Sequence, residues 1–305
     1  MTPRQRAWLL ILGVFAVCGL MLWGAVWYRS RTMTPAAMLK RLPTDDAVVL
    51  FIDFSQLRQR HILQLLDSAT VGHDPEYQGF VQKTNFDYQQ DLDTAIAAFA
   101  PTGKFMLLKG RFDWKALKAY VLSQDGKCLN AVCKMVGSAP DRRISFFPLQ
   151  QNVMALAVSP EESAAERMSA VSRRPDTELP SAPLWMTIPP SVLKSGQNLP
   201  SGTQMFVHSM ERAEGVTLWA VPEAQGFSAR LSVRCATVED AVDMASKLNK
   251  VTALLRELIE KERQTPNPAD LSGLLTAGTF HNEGQKVLGT WPVSQALLDN
   301  LLGGK

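Results

Sequence analysis

The chain has 305 residues, 46% hydrophobic and 20% charged, which excludes a disordered protein and leaves room for two ordinary domains. Its net charge of +3 is unevenly placed: residues 1–44 hold six basic residues and no acid, so 26 basic and 29 acidic residues make the rest slightly acidic. A body of that sign, with no basic stripe, excludes nucleic acid as a partner.

Ala7 to Tyr28 carries no charge and is bracketed by Arg4 and Arg6 on one side and by Arg29 and Arg31 on the other. About 20 apolar residues rising ~1.5 Å each match a hydrocarbon core of ~30 Å, so the expectation is one transmembrane helix. The run exceeds the ~7–15 apolar residues of a cleavable signal and ends in bulky residues, Trp23 and Trp27-Tyr28. A processed signal is the alternative. Trp8, Trp27 and Tyr28 suit the two interfaces. Cys18, inside the run, lacks the small preceding residue of a lipoprotein site. Flanking charges balance, so orientation rests on the short N-terminal tail and on the cysteines below. Both favour a single-pass inner-membrane protein with a periplasmic body, for which the lipid bilayer is the first partner.

Beyond the anchor, Thr34-Pro35 opens a short helix to Leu42, and Ala47–Phe54 reads as a buried strand. Ser55 is the expected cap of the next helix, and Asp74-Pro75 opens another to about Thr84. Strands follow at Leu92–Ala100 and Lys104–Arg111. Asp113 caps a helix over Trp114–Ser123, and Arg143–Leu149 with Val153–Ser159 forms a hairpin. A helix Glu161–Ser172 leads into residues 173–183, whose three prolines read as a linker. The second half runs through strand Leu184–Ile188, a helix near Gln204–Arg212, and strands Val216–Val221 and Phe227–Cys235. Thr237 then caps a long helix to about Arg263. A short helix, a hairpin through Asn282-Glu283-Gly284 and a terminal helix Val293–Leu302 complete the chain.

The two halves repeat one order of elements. The expected fold class is therefore α+β: a transmembrane helix followed by two similar ferredoxin-like modules, antiparallel sheets with helices. Residues 1–33 form the anchor and its flanks, 34–172 the first module, 173–183 the linker and 184–305 the second module. Leu42-Pro43 through Leu50 before a Ser55-Gln56-Leu57 helix, Phe86-Asp87-Tyr88 before Asp91-Leu92-Asp93, and Gly110–Asp113 before a helix carry a resemblance. Over roughly residues 40–160 the chain resembles uncharacterised, membrane-anchored bacterial proteins of unknown function. The resemblance implies an extracytoplasmic location and brings no activity and no site residues.

Candidate chemistry is sparse. Cys128 and Cys133 bracket four residues after Asp125-Gly126, and in an oxidising compartment a disulfide is expected; two reduced thiols remain the alternative. Zinc would need two further ligands. Cys235 falls on the apolar face of an alternating strand, with Ser228, Arg230, Ser232 and Arg234 on the other face. Ser191-x-x-Lys194 matches a serine-nucleophile motif without its partner motifs, and a chain of this composition produces such a match by chance. Asp87, Asp91 and Asp93 lack the glycine and final glutamate of a calcium loop. His61, His73, His208 and His281 show no ligand spacing, and Trp114, Trp185, Trp219 and Trp291 fit packing roles. No cofactor, metal or catalytic residue is assigned. The expectation is a non-enzymatic, membrane-anchored binding or scaffold protein with an envelope protein as possible partner. The alternatives are an envelope hydrolase with an unrecognised site, or an inner-membrane component of a pilus or secretion-type assembly.

Overall fold

The computed structural model describes residues 33–60, 62–63, 75–137, 142–172, 179–195, 201–223 and 226–302. Ala7–Tyr28 lies outside the described residues, as do His61, His73 and positions 173–178 of the expected linker. No described helix is long and apolar enough to cross a membrane.

The first half contains α1 (Pro35–Leu39), β1 (Val48–Asp53), α2 (Phe54–Gln59), α3 (Pro75–Thr84), α4 (Tyr88–Asp91), β2 (Leu92–Ala100) and β3 (Gly103–Gly110). It continues with α5 (Trp114–Ser123), β4 (Lys127–Leu129), β5 (Val132–Val136), β6 (Arg143–Gln150), β7 (Val153–Ser159) and a 3₁₀ segment, Ala164–Ser169. The second half contains β8 (Leu184–Ile188), α6 (Pro190–Ser195), α7 (Ser201–Ser209), β9 (Gly215–Glu223) and β10 (Gly226–Arg234). It ends with α8 (Val238–Lys261), α9 (Leu271–Thr276), β11 (Thr279–Glu283), β12 (Lys286–Val293) and α10 (Gln295–Leu302).

The expected fold of a membrane helix and two ferredoxin-like modules is corrected. The described chain is α+β, but its strands form one sheet of twelve, ordered β11-β12-β10-β9-β8-β1-β2-β3-β7-β6-β5-β4. All described pairings are antiparallel. A βαβ crossover joins parallel strands. Here the helices between β1 and β2 stand at the end where Asp53 pairs with Thr94, so the connection is a long hairpin. The connection from β8 to β9 is alike, returning at Ile188 opposite Val216. On either side of the β1–β8 seam the strand order is the same: β1-β2-β3-β7-β6 one way and β8-β9-β10-β12-β11 the other.

Local signals explain the element starts. Asp53, rather than Ser55, caps α2 by accepting the Gln56 N–H at 2.9 Å, while Ser55 Oγ donates to Asp93. Asp113 caps α5 through the Lys115 and Ala116 N–H groups, and Thr237 caps α8 through the Asp240 N–H. The Cys128–Cys133 stretch, read from sequence as a loop, is the β4–β5 hairpin.

The two faces of the sheet are covered in different places. On the front, α1 and the 3₁₀ segment cover the first wing, where Met38 and Met168 pack on Phe51, Ile96, Phe105, Leu107 and Trp185. On the back, α6, α7 and α8 cover the second wing through Leu193, Phe206, Met244 and Leu248 on Val216, Leu231, Val233 and Val287. The back of the first wing is filled by α5 at one end and α2 at the other. Gly278 and Gly289 make room for the aromatic cluster behind the second wing. A Cβ at Gly278 would lie 2.4 Å from Trp291 Nε1, and one at Gly289 would lie 2.9 Å from the Phe280 ring.

β11 is an edge strand, and edge strands leave N–H and C=O groups open to pairing with another chain. Asn249 of α8 caps this one at Phe280. Its Oδ1 accepts the Phe280 N–H at 3.2 Å and its Nδ2 donates to the Phe280 C=O at 2.8 Å, as a neighbouring strand would. Asn249→Ala removes both bonds and is expected to cost about 1–3 kcal/mol. Urea unfolding checks the cost, and hydrogen exchange should show the Phe280 amide losing its protection.

Candidate functional site

From Arg230 outward the front of the second wing is uncovered and polar. Arg230, Arg234, Thr279, His281, Glu283, Lys286 and Thr290 are all exposed, while the residues alternating with them on β10 and β12 are buried behind. Where this face meets the covered first wing it forms a trough of about 890 Å³. That volume falls in the range of small-molecule sites.

Register places the floor in rows across the strands. The outermost row is Gly215, Arg234, Lys286 and Glu283; the next is Thr187, Thr217, Ser232, Leu288 and His281. Trp185 and Trp219 head the third row. The inner wall is apolar: Leu39 of α1, Leu179, Pro180 and the two tryptophans line it. Leu39, Leu179 and Trp219 pack on the first-wing core, so this wall is the rim of that core. One end of the trough is thus apolar and fixed, and the other is charged and wet.

The charged rim is partly self-neutralised. Arg234 Nε stands 3.4 Å from Glu214 Oε2, and its Nη2 donates to the Glu214 C=O at 3.4 Å. His281 Nε2 is 3.5 Å from Glu283 Oε1. Lys286 lies opposite Arg234 on one side and Glu283 on the other, and it makes no ion pair among the described residues. A second concavity of about 910 Å³ lies among α8, α9 and the ends of β10 and β12, lined by Arg256, Leu274, Thr276 and Pro292. Its cation is already engaged, because Arg256 Nη2 donates to the Thr276 C=O at 2.7 Å.

Of the residues singled out from sequence, Trp185, Trp219, Ser232 and Arg234 line the trough, whereas the cysteines, the Asp87–Asp93 cluster and the Ser191–Lys194 pair line neither concavity. Cys128 and Cys133 are joined by a disulfide at directly opposed positions of the β4–β5 hairpin, with Cα atoms 4.1 Å apart. They stand at the far edge of the sheet from the trough. Asp87 caps α4 and accepts from the Tyr77 hydroxyl; Asp91 pairs with Arg111 at 3.0 Å; Asp93 accepts from Ser55. Among the described residues no three His, Cys, Asp or Glu side chains are grouped to hold a metal ion. Ser191 and Lys194 lie on the short α6. A Ser–Lys contact exists elsewhere: Lys134 Nζ donates to Ser163 Oγ at 2.6 Å, outside both concavities. His208 pairs with Glu211 on the exposed end of α7. Cys235 is buried, its Sγ 3.9 Å from Met244 Sδ, and burial pushes its thiol up.

The trough residues were visible in sequence only in part. Alternation along β10 marks Ser232 and Arg234, which line the trough, as sharing a strand face with Ser228 and Arg230, which do not line it. Leu39, Leu179, Lys286 and Glu283 carry no local mark of belonging to the same place, because the sheet order assembles them.

The described chain is thus an α+β fold built on one antiparallel sheet, with an open trough on one wing. No family model matches the sequence, and no curated protein matches it. Among solved structures it is similar to TP0453. Crystal form III gives a TM-score of 0.51 at 12% identity, covering 87% of this chain and 97% of that one. Crystal form I gives 0.49 at 11%, covering 90% and 100%, and crystal form IV gives 0.47 at 11%, covering 87% and 96%. The likeness to form III is one of fold alone.

Two predictions concern the first wing. Burial, opposed by the bond from the Tyr88 N–H and reinforced by the Asp87 carboxylate, pushes the Tyr77 phenol up to about 12. The unfolded chain releases this proton first, near pH 10, so the contribution to stability is full below pH 10 and is lost as pH rises toward 12. Tyr77→Phe is expected to flatten the stability profile across that window in alkaline urea titrations. Reducing the Cys128–Cys133 bridge opens a short loop, which corresponds to roughly 2 kcal/mol. The urea midpoint should fall accordingly with reductant, and Cys128→Ser should show no further dependence on it.

Proposed function

We propose that this protein is an exported binding protein of the cell envelope, and that it holds its ligand in the front trough of the second wing. The observation that carries the reading is the uncovered trough itself: an apolar wall on the core of one wing faces a floor of hydroxyl and charged side chains on the other. Export is supported by the uncharged Ala7–Tyr28 run and by the disulfide of the β4–β5 hairpin. In this reading the envelope side of the inner membrane is where the protein works, and an envelope protein that delivers or receives the ligand is its partner. The shared strand order of the two wings supports descent from one duplicated unit, the second wing having kept its front open.

Ser232 lies mid-floor, half-buried, so Ser232→Trp fills the trough without touching either core. Native mass spectrometry of the full chain, purified under non-denaturing conditions, is expected to show a stoichiometric bound molecule that Ser232→Trp lacks. A bare wild-type mass, or a ligand retained in Ser232→Trp, refutes the trough as the binding site.

A further inference from the structure

We infer, resting on the trough as the binding site, that its ligand is a small amphiphile with a single carboxylate head. The head sits between Arg234 and Lys286, and the apolar body runs inward past Leu288 to Leu39, Leu179 and Trp219.

Charge placement carries the first half of the inference. Arg234 and Lys286 are register partners on adjacent strands, and like charges directly opposed in a sheet cost stability. The acids of the row stand outside this pair: Glu214 against Arg234 on one side and Glu283 opposite Lys286 on the other. Read across the strands the rim is therefore negative, positive, positive, negative. An anion at its centre meets two cations and relieves their repulsion, whereas a cation there meets both. Strands ~4.8 Å apart bring the two basic groups within reach of one carboxylate. The Glu214 carboxylate and carbonyl each stand 3.4 Å from the exposed Arg234 guanidinium and bias where it rests. The two flanking acids disfavour a second negative charge on the head, which selects a carboxylate over a phosphate monoester.

The wall carries the second half. From Arg234 to the level of Trp219 the strands advance four residues, about 13 Å, and along β9 and the wall the lining changes from charged to hydroxyl to apolar; Arg230, the β10 partner of Trp219, lies exposed outside the lining. Leu288 is the half-buried apolar step on that path, and Leu39, Leu179 and Trp219 are its end. An alkyl or aromatic body laid along this line loses its water against a surface that the core already holds in place. A neutral polyol would use the Thr187, Thr217 and Ser232 hydroxyls and leave both the cation pair and the wall unused.

The experiment is calorimetric titration of the full chain in a mild zwitterionic detergent, with the detergent alone as blank. The titrants are octanoate, octanol, octyltrimethylammonium and a glutamate-rich peptide. Octanoate is expected to bind at one site, roughly tenfold or more tighter than octanol, with no binding by the ammonium. The exposed rim variant Arg234→Gln/Lys286→Gln should bring octanoate down to the affinity of octanol and leave octanol unchanged, while Ser232→Trp abolishes both. Equal binding of octanoate and octanol, insensitive to the rim variant but lost in Ser232→Trp, overturns the carboxylate assignment and leaves the trough standing as a site. Binding of the acidic peptide through Arg234 and Lys286, with none by octanoate, overturns the small amphiphile in favour of a protein segment. Silence from every titrant also overturns it, and the native mass measurement then judges the trough independently.

Discussion

The antiparallel pairing of β1 with β8 is the interaction on which the rest of the molecule depends. It joins residues from opposite halves of the chain, from Val49 opposite Thr187 to Ile52 opposite Leu184, and the Asp53 N–H extends it to the Pro183 carbonyl at 2.7 Å. At its centre Phe51 and Trp185 are register partners whose rings stack 5.1 Å apart and 11° from parallel, both buried. Stacking of this kind adds about 0.5–1.5 kcal/mol beyond the area buried. Without the seam there would be two separate sheets, each with a further open edge. With it, one wing's core supplies a wall beside the other wing's open face.

The open edges that remain are handled by different means. At β11 a side-chain amide takes the place of a strand through Asn249. At β4 the edge strand is three residues long and is bonded covalently to its neighbour. Short edges and capped edges both limit strand addition. The two ends of the sheet therefore present fewer free backbone groups than two long unmodified edge strands would.

Much of the secondary structure was legible because its causes are local. Leu92–Ala100, Trp114–Ser123 and Leu184–Ile188 coincide with the stretches read from periodicity and caps. Local patterns mislead where they admit two global arrangements. A helix between two strands reads as a crossover to a parallel neighbour, and nothing in residues 54–91 reports that the chain comes back beside β1 in the antiparallel sense. The 3₁₀ segment at Ala164–Ser169 was expected as a longer α-helix. Its Ala164, Ala165 and Met168 are fully buried on the sheet, and close packing there, with the Ala165 N–H donated to Ser145 Oγ, determines its form more than propensity does. The floor of the trough was half legible for the same reason. Alternation on β10 marks Ser228 to Arg234 as one face, exposed at Arg230 and Arg234 and buried at Ser228, while the strands that complete the rows are brought in by topology alone.

The two wings share a strand order and differ in what stands on their front faces, and that difference is the physical basis of the proposed role. In the first wing the front is lined by Ile96, Ala98, Phe105, Leu107, Ala155 and Ala157; the small residues let α1 and the 3₁₀ segment approach closely, and the chain fills its own groove. In the second wing the corresponding face carries Thr217, Ser232, Arg234 and Lys286, which no apolar helix can cover without stranding their polar groups. The face therefore stays open, yet its inner end is bounded by Trp185 and Trp219, whose positions are set by the seam. A ligand that lays an apolar body against those rings extends an existing core across the seam instead of creating a new one. Because the wall is already ordered, little conformational entropy is lost when it is covered, and preorganisation of this kind is what would let an open trough hold a small molecule selectively.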